Sequence, residues 1–199
     1  MTRALIVYES MFGNGKAVAS AVADGVRTIM PADEVEVGLA PTAVPDDVSL
    51  LVVGGPTHAF GLSRPDTRSQ AAGRASGQIV SRGRGLREWL PTLRVHPGRL
   101  AAVAYGTHVR RPWLIARLRT VERAIERRFR RLGVRDVLPH ESFFVEGMTG
   151  PLVPAELERA RRWGERLGRM ATPASGLAAG ERHHAAGPER PRGSPPQRS

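Results

Sequence analysis

The fold of this chain is decided by residues 4–15, which read ALIVYESMFGNG. Residues 4–8 form a continuous apolar run of strand-forming residues, which predicts a buried parallel strand. A short loop of serine, glycine and asparagine follows, and a helical pattern begins directly after it. Such a loop aims several backbone N–H groups and the positive end of a helix at one point. It therefore predicts a phosphate-binding site.

Two other phosphate motifs do not match this loop. A P-loop needs a glycine where Ser10 stands and a hydroxyl residue where Ala17 stands, so the group that would hold magnesium is absent. The dinucleotide fingerprint Gly-x-Gly-x-x-Gly would need a glycine at Val18. The alternative that needs no ligand is an ordinary glycine-rich turn between a strand and a helix.

The loop resembles that of the flavodoxin family, which reads Ser/Thr-x-Ser/Thr-Gly-x-Ser/Thr and holds the phosphate of flavin mononucleotide (FMN). Ser10 and Gly13 match, whereas Phe12 and Gly15 stand where the family carries hydroxyls. The resemblance implies a phosphate held mostly by backbone N–H groups. A hydroxyl side chain at Gly15 is expected to add a hydrogen bond and to tighten FMN binding. The candidate cofactor-binding residues of this loop are Ser10, Met11, Phe12, Gly13, Asn14, Gly15 and Lys16.

The composition fits one globular domain, with 199 residues of which 41% are hydrophobic and 25% charged. The sequence has no apolar run long enough to span a bilayer and no signal-peptide pattern before the first strand, so we expect a cytoplasmic protein. The sequence contains no cysteine, which excludes thiol catalysis and cysteine-held clusters. Redox chemistry would therefore depend on a bound organic cofactor.

The chain is strongly basic, with a formal net charge of +11 that comes almost entirely from arginine. One interpretation is a general compositional bias toward arginine, and another is a docking patch for an acidic electron-transfer partner. Binding to nucleic acid is not expected. The arginines are dispersed along the chain, and aromatic residues, at 5%, supply few stacking platforms.

Apolar periodicity predicts strands that alternate with helices. The five predicted strands are residues 4–8, an edge strand at 35–39, and residues 50–53, 100–105 and 143–145. The predicted helices are residues 18–29, 86–93, 113–132 and 154–171. Short connections between them predict a parallel sheet with right-handed crossovers. The resemblance further implies a three-layer α/β flavodoxin-like fold over residues 1–171, with a five-stranded parallel sheet of order 2-1-3-4-5.

A second candidate loop follows the strand at residues 50–53. Small residues there let a flat ligand approach the backbone, while proline stiffens the turn. The loop resembles the Gly-x-Pro-Thr loop of flavodoxin-like quinone reductases, which packs on the isoalloxazine ring of the flavin. The candidate residues are Pro56, Thr57, His58, Ala59, Phe60 and Gly61.

The segment that follows, residues 62–84, shows no convincing helix pattern. Long stretches without regular structure inside a compact domain are usually functional or mobile. We interpret it as a flexible flap beside the flavin, in which Arg64 and Arg68 could meet a phosphate or an acidic substrate. An insertion without a role is the alternative.

The third candidate loop follows the strand at residues 100–105 and comprises Tyr105, Gly106, Thr107 and His108. The family resemblance implies ring contacts here. Tyr105 could stack on the ring or point into the core, whereas Thr107 and His108 could form hydrogen bonds with the ring edge. His58 and His108 are candidate proton donors to a bound quinone.

A phosphate-accepting receiver domain shares this predicted topology but is excluded. By resemblance to that family it would need an acidic pair after the first strand, where Glu9 stands alone, and an aspartate after a later strand. We therefore expect an FMN-binding redox protein that transfers electrons to a partner protein or reduces a small acceptor such as a quinone. The alternative is a binding or scaffold protein of the same fold that has lost FMN.

Residues 172–199 are rich in arginine, proline and glycine and show no apolar periodicity, which predicts a disordered tail. A chain that ends after Ala171 should therefore unfold at nearly the same denaturant concentration as the full chain. The two chains can be compared by urea unfolding followed by circular dichroism. A loss of more than about 1 kcal/mol would contradict the prediction, because changes at exposed positions usually stay within about 0.5 kcal/mol.

Overall fold

The apolar runs of the sequence assemble into a parallel sheet. The computed structural model of the chain describes residues 1–57, 61–74, 79–96, 100–110 and 120–172. Within these residues the strands are β1 (Arg3–Tyr8), β2 (Ala32–Glu36), β3 (Val48–Pro56), β4 (Ala101–Val109), β5 (Asp136–Val137) and β6 (Glu141–Val145). They lie in the order β2-β1-β3-β4-β5, and β6 also pairs with β4. The predicted order 2-1-3-4-5 is therefore confirmed, with one additional strand.

The last position of the sheet is shared by two short strands. β5 pairs with the beginning of β4, and β6 pairs with its end. Leu138 still donates a backbone hydrogen bond to the Ala102 carbonyl at 2.9 Å. Pro139 follows it and has no N–H to donate, which interrupts the ladder. The apolar run at residues 143–145 predicted the second strand only, because β5 is too short to show a pattern.

Helices cover both faces of the sheet. They are α1 (Asn14–Arg27), α2 (Pro65–Arg74), α3 (Leu86–Trp89), which continues into a short 3-10 helix (Leu90–Thr92), α4 (Val121–Arg131) and α5 (Glu156–Ala171). α1 and α5 enclose one core, in which Tyr105 and Phe143 of the sheet meet Trp163. α3 and α4 enclose the other core, around Trp89 and Phe129.

The segment at residues 62–84 is partly helical, so the prediction of a stretch without a helix is wrong. α2 begins at Pro65 and carries Asp66 in its first turn, and both residues favour a helix start at these positions. Of the α2 side chains that the structure describes, only Ala71 is buried. A helix that buries so little of its surface needs no apolar stripe, and periodicity therefore could not reveal it.

Two apolar residues lie on the surface against expectation. The predicted edge strand ends early because the Glu36 carboxylate accepts a hydrogen bond from the Gly38 backbone and starts a turn. Leu39 lies in this turn with 82% of its surface exposed. Leu157, in the first turn of α5, is 47% exposed, whereas Ala160 and Gly164 further along the helix are buried.

Parts of two predictions lie outside the described residues. The predicted helix at 113–132 is described from residue 120 onward, where Thr120 caps α4. Residues 111–119 and residues 173–199 of the predicted tail are not among the described ranges. Both parts stay predictions.

The contact between α1 and α5 depends on two glycines. A Cβ atom at Gly164 would lie 2.2 Å from the Val22 carbonyl oxygen. A Cβ atom at Gly25 would lie 1.9 Å from the Arg161 carbonyl oxygen. Neither atom could be accommodated, so the two helices touch backbone to backbone. This contact fixes the position of α1, whose first turn forms part of the loop that follows β1.

Replacing Gly164 with alanine should destabilise the protein by about 1–3 kcal/mol, because overpacking forces the helices apart. A matched control is Gly73→Ala in α2, where an added Cβ atom would have nothing within 4 Å. The control should leave stability unchanged or raise it by about 0.5–1 kcal/mol through helix propensity. Urea unfolding measures both effects, and equal behaviour of the two variants would contradict the proposed backbone contact.

Candidate functional site

A cleft of about 240 Å³ lies where the carboxyl ends of β1, β3 and β4 meet. This is the point at which the winding of the sheet reverses, and ligands of open α/β sheets bind there. The predicted residues that line it are Ser10, Met11, Phe12, Asn14, Gly15, Pro56, Thr57 and Thr107. The lining residues that the sequence did not reveal are Thr67, Gln70, Ala71, Val109, Val145, Met148 and Thr149.

The other predicted site residues that the structure describes do not line the cleft. Gly13 and Lys16 belong to the first loop and helix but do not line the cleft that the structure describes. Gly61 lines a different depression. His58, Ala59 and Phe60 are outside the described residues. Gly106 and the side chains of Tyr105 and His108, discussed below, do not line the described cleft either.

The first loop presents backbone donors, as the sequence predicts. Gly13 has φ +90° at the start of α1, a backbone conformation that favours glycine, and its N–H donates to Ser10 Oγ at 3.1 Å. The first helical hydrogen bond in α1 runs from the Ala17 N–H to the Gly13 carbonyl. The N–H groups of the three residues between them therefore have no partner within the helix. Together with the helix dipole, these N–H groups form a cradle for an anion.

Ser81 holds the backbone of Ser10 in place through two hydrogen bonds. The Ser10 N–H donates to Ser81 Oγ at 3.0 Å, and the Ser81 N–H donates to the Ser10 carbonyl at 2.8 Å. Val80 adds a bond to the Met11 carbonyl at 3.2 Å. The end of the segment at residues 62–84 thus holds the loop in place through these hydrogen bonds, which fixes the direction of the loop's N–H groups.

Gly15 is required by a close approach of two backbone segments. A Cβ atom there would lie 2.7 Å from the Glu9 carbonyl oxygen and 3.3 Å from the Ser10 side chain. The expectation that a hydroxyl residue at Gly15 would tighten FMN binding stays a prediction, and this close contact argues against it. A side chain at this position would push the helix away from the loop before it could reach a phosphate.

Tyr105 points into the core and supports the loop from below. Its hydroxyl donates to the Gly15 carbonyl at 3.0 Å. Its ring makes edge contacts with Phe143 and Trp163 and fills the space left open by Gly54. Burial raises the pKa of Tyr105, so the hydroxyl stays a donor. Of the two roles that the sequence leaves open for Tyr105, the structure favours the core.

Thr57 and Thr107 join the second loop to the third. The Thr57 N–H donates to the Thr107 carbonyl at 3.1 Å. The Thr57 hydroxyl is buried and has no hydrogen-bond partner among the described residues. A buried hydroxyl without a partner costs free energy, so the cleft offers one polar group that a ligand could satisfy.

His108 turns away from the cleft toward α4. Its Nε2 donates to Glu122 Oε1 at 2.6 Å, and the Ser142 hydroxyl donates to the same oxygen at 2.7 Å. Gly106 leaves room for this carboxylate, which would lie 2.4 Å from an added Cβ atom. Burial acts to raise the pKa of Glu122, but the hydrogen bonds from His108 and Ser142 outweigh it and hold the pKa at about 2. Glu122 is therefore an ionised, fully buried carboxylate that positions the third loop.

Glu9 does not line the described cleft, but it supports the loops around it, a role that sequence reasoning missed. Its side chain is 1% exposed, and it accepts hydrogen bonds from the Ser63 hydroxyl and, at 2.8 Å, from the Leu86 N–H at the start of α3. Burial raises the pKa of Glu9, opposed by these hydrogen bonds and by Arg68. The signal in the sequence is a carboxylate that directly follows a buried strand, at the edge where the loops converge.

Arg68 is bound to Ser63 and Glu88, next to the Glu9 carboxylate, and does not line the cleft that the structure describes. Its guanidinium donates to Ser63 Oγ at 3.1 Å and forms an ion pair with Glu88 at 3.1 Å. Arg64 is exposed. The expected meeting of both arginines with a phosphate is thus not seen at Arg68, whose charge is balanced within the protein.

The segment after β6 closes the cleft on the opposite side. The Asn14 side-chain amide donates to the Thr149 carbonyl at 3.1 Å. Gly150, at φ +105°, passes so close to Asn14 that a Cβ atom would lie 2.6 Å from its amide nitrogen. The first turn of α1 is therefore joined to the loop that carries Met148, which the sequence gave no reason to expect.

Two further classes of site are not found in the described part of the chain. No group of three or more potential metal-ligating side chains occurs among these residues. None of the described helices is long and apolar enough to cross a membrane.

Comparison with known proteins supports the fold. No protein-family model and no curated protein sequence matches the chain. Among solved structures, it is similar to oxidised flavodoxin 2 from Bacillus cereus, with a TM-score of 0.59 and 11% identity over 85% of this chain and 99% of that one. It is also similar to a flavodoxin from the domain Archaea, with a TM-score of 0.56 and 15% identity over 85% and 99% of the two chains. A short-chain flavodoxin associated with a bacterial microcompartment gives a TM-score of 0.55 and 17% identity over 86% and 100%.

These similarities, together with the strand order, define the class: the chain has the flavodoxin-like α/β fold. At identities between 11% and 17% they establish the fold and leave the ligand to be argued from the site itself.

Replacing Glu122 with glutamine should weaken the protein at pH 7 and reduce its sensitivity to acid. The pKa of Glu122 in the folded protein, about 2, lies below its ordinary value of 4.5, so the ionised form stabilises the fold. This contribution is complete above pH 4.5 and is lost as the pH falls toward 2. We expect a loss of about 2–3 kcal/mol at pH 7 and a smaller loss at pH 3.

The matched control is Glu158→Gln, which removes an exposed carboxylate paired with Arg161. Exposed pairs contribute little, so this variant should leave stability close to that of the parent protein. Urea unfolding at pH 7, 5 and 3 measures both variants. A Glu122→Gln effect that does not change with pH would contradict the assignment of a charged carboxylate.

Proposed function

We propose that the cleft binds FMN without a covalent bond and that the protein is a flavin-dependent redox protein. It would transfer electrons to a partner protein or reduce a small acceptor such as a quinone. The single observation that carries this proposal is the combination of an N–H cradle at the start of α1 with an apolar cleft at the switch point of the sheet. When bound, the flavin supplies reversible electron uptake, which the side chains cannot supply themselves.

The phosphate end would be held mainly by the backbone. The candidate donors are the N–H groups of Asn14, Gly15 and Lys16, which have no partner within α1. Ser10 Oγ already accepts the Gly13 N–H, so its own hydrogen is available for donation to a phosphate oxygen. Lys16 is exposed and adds a positive charge near the same helix end. These donors fit a doubly charged phosphate even though Phe12 and Gly15 carry no hydroxyl.

The ring end would be held by apolar walls and a few polar groups. Met11, Pro56, Val109 and Val145 line the cleft and would exclude water from a flat ring. The buried hydroxyl of Thr57 has no partner among the described residues, and a ring oxygen or nitrogen could satisfy it. The other polar side chains that the structure describes on this wall are hydroxyls and amides, which orient a ring by hydrogen bonding.

A second candidate is a protein of this fold that has lost FMN. Two observations favour it. The loop lacks two of the hydroxyls that the family motif carries, and the cleft volume of about 240 Å³ is below the roughly 300–1,000 Å³ typical of ligand pockets. The two candidates predict opposite results when the purified protein is mixed with flavins.

Titration of flavin fluorescence with the protein tests the proposal. FMN and riboflavin share the ring and differ in the phosphate, so FMN should bind more tightly. Replacing Ser10 with alanine removes one hydrogen bond to a charged group, which contributes about 1.5–3 kcal/mol. FMN affinity should fall about ten- to a hundredfold, while riboflavin affinity stays the same.

The matched control is Ser20→Ala, which removes a hydroxyl from α1 that donates a hydrogen bond to Glu34 at 3.2 Å and does not line the cleft. This variant should bind FMN like the parent protein. No quenching by FMN, FAD or riboflavin would favour the scaffold alternative. An equal loss for riboflavin and FMN in Ser10→Ala would show that the phosphate is not held by this loop.

A further inference from the structure

A second depression, separate from the cleft, lies between α4 and the segment that precedes α2. We call it the arginine groove, and it is lined by Arg64, Arg87, Arg127 and Thr120, together with Gly61 and Leu62. Neither aspartate nor glutamate is among its lining residues that the structure describes. Like charges repel one another, so three arginines that line one groove without an acid favour the binding of an anion between them.

Arg87 and Arg127 are held in place by backbone carbonyls. Arg87 donates from Nε to the Ser63 carbonyl at 2.8 Å and from Nη2 to the Leu62 carbonyl at 2.7 Å. Arg127 donates from Nε to the Arg123 carbonyl at 3.1 Å, which turns its guanidinium back toward the start of α4. Neutral carbonyls do not cancel the charges, and each fork retains further N–H donors. Two prearranged guanidinium groups therefore border the groove.

Arg64 is the third arginine, and its side chain is exposed. Its backbone is fixed, because its N–H donates to Thr67 Oγ1 at 2.8 Å. Among the described residues its guanidinium has no ion pair, in contrast to Arg68, which is paired with Glu88. Arg64 can therefore turn onto a ligand that occupies the groove.

The start of α4 adds a positive field to the same groove. Thr120 is the N-cap and accepts a hydrogen bond from the Arg123 N–H at 3.4 Å. The acidic residues of α4, Glu122 and Glu126, do not line the groove that the structure describes, and both form their hydrogen bonds with residues other than the groove arginines. Glu122 is paired with His108 at 2.6 Å, and Glu126 with His140 at 2.7 Å. The groove itself thus presents three arginines and no acid among its described lining residues.

We propose that the arginine groove is a binding site for a phosphoryl anion, either free or carried by a nucleotide. Guanidinium forks bind phosphate oxygens in a bidentate manner, and a phosphate or diphosphate carries enough charge to engage two or three of them. The concave shape favours a small anion over the flat surface of an acidic protein. This site is distinct from the cradle at α1, and the inference does not depend on the flavin.

Calorimetric titration of the full-length protein with inorganic pyrophosphate, ADP and adenosine tests the proposal. We expect pyrophosphate and ADP to bind and adenosine not to bind. Tighter binding of ADP would identify a nucleotide-borne source, whereas equal affinities would identify the free anion. Arg64→Gln and Arg127→Gln should each weaken binding of the anions at least tenfold, since each removes a charge-assisted contact.

The matched control is Arg131→Gln, which removes the same charge from an exposed position of α4 that does not line the groove. It should leave the affinity for pyrophosphate within twofold of the parent value. Ser10→Ala should also leave it unchanged, which separates the groove from the cradle at α1. The Arg64 and Arg127 variants should bind FMN as the parent protein does, so a failure of either proposal can be recognised separately.

Three results would overturn the proposal. If Arg131→Gln weakened pyrophosphate binding as much as the Arg64 and Arg127 variants do, the anion would be attracted by net charge alone. Unchanged pyrophosphate binding in the Arg64 and Arg127 variants would place the anion elsewhere. Binding of polyglutamate without binding of pyrophosphate, lost in these two variants, would identify a docking surface for an acidic protein instead.

Discussion

The arrangement of the loops depends on one buried carboxylate, Glu9, and on the backbone that carries it. Its N–H donates to the Gly54 carbonyl at 2.9 Å, which aligns the ends of β1 and β3. Its carbonyl lies against Gly15, and its side chain caps the start of α3 and receives the Ser63 hydroxyl. A carboxyl group in a buried position is costly unless hydrogen bonds compensate it. These bonds therefore hold the first loop, the segment at residues 62–84 and α3 in one arrangement.

The segment at residues 62–84 obtains its structure from its contacts with Glu9 and the first loop more than from its own sequence. It is attached near its beginning through Ser63 and near its end through Ser81, which bonds the backbone of Ser10 in both directions. Between these attachments, α2 places Thr67, Gln70 and Ala71 on the wall of the cleft. α2 thus forms a wall of the proposed flavin site, and its position is determined by the contacts on both sides of it.

The two buried glutamates at this edge of the sheet behave differently, and the difference explains their roles. Burial dominates at Glu9 and raises its pKa, whereas hydrogen bonds from His108 and Ser142 dominate at Glu122 and lower its pKa. Glu9 organises the loops around the cleft. Glu122 holds His108 away from the cleft through the hydrogen bond between their side chains. The polar groups that the structure describes at the proposed site are therefore hydroxyls, amides and backbone N–H groups.

The sequence by itself determined the elements whose signals are local. Continuous apolar runs identified the strands, Ser10 and Gly13 identified the loop, and the family resemblance gave the strand order. Most of the described residues of the first loop, together with Pro56, Thr57 and Thr107, do line the cleft. These predictions succeed because strand, turn and helix-start preferences act over a few neighbouring residues.

Only the tertiary structure decided where the remaining groups point. Tyr105 bonds a carbonyl 90 residues away and Glu9 an N–H 77 residues away, so neither partner could be read from local pattern. The direction of the His108 side chain depends on a glutamate from another element. The need for glycine at position 15 depends on a backbone contact with Glu9. α2 was missed because it buries almost no apolar surface. In each case the deciding interaction joins segments that are distant in the chain, and packing, not local preference, selects the conformation.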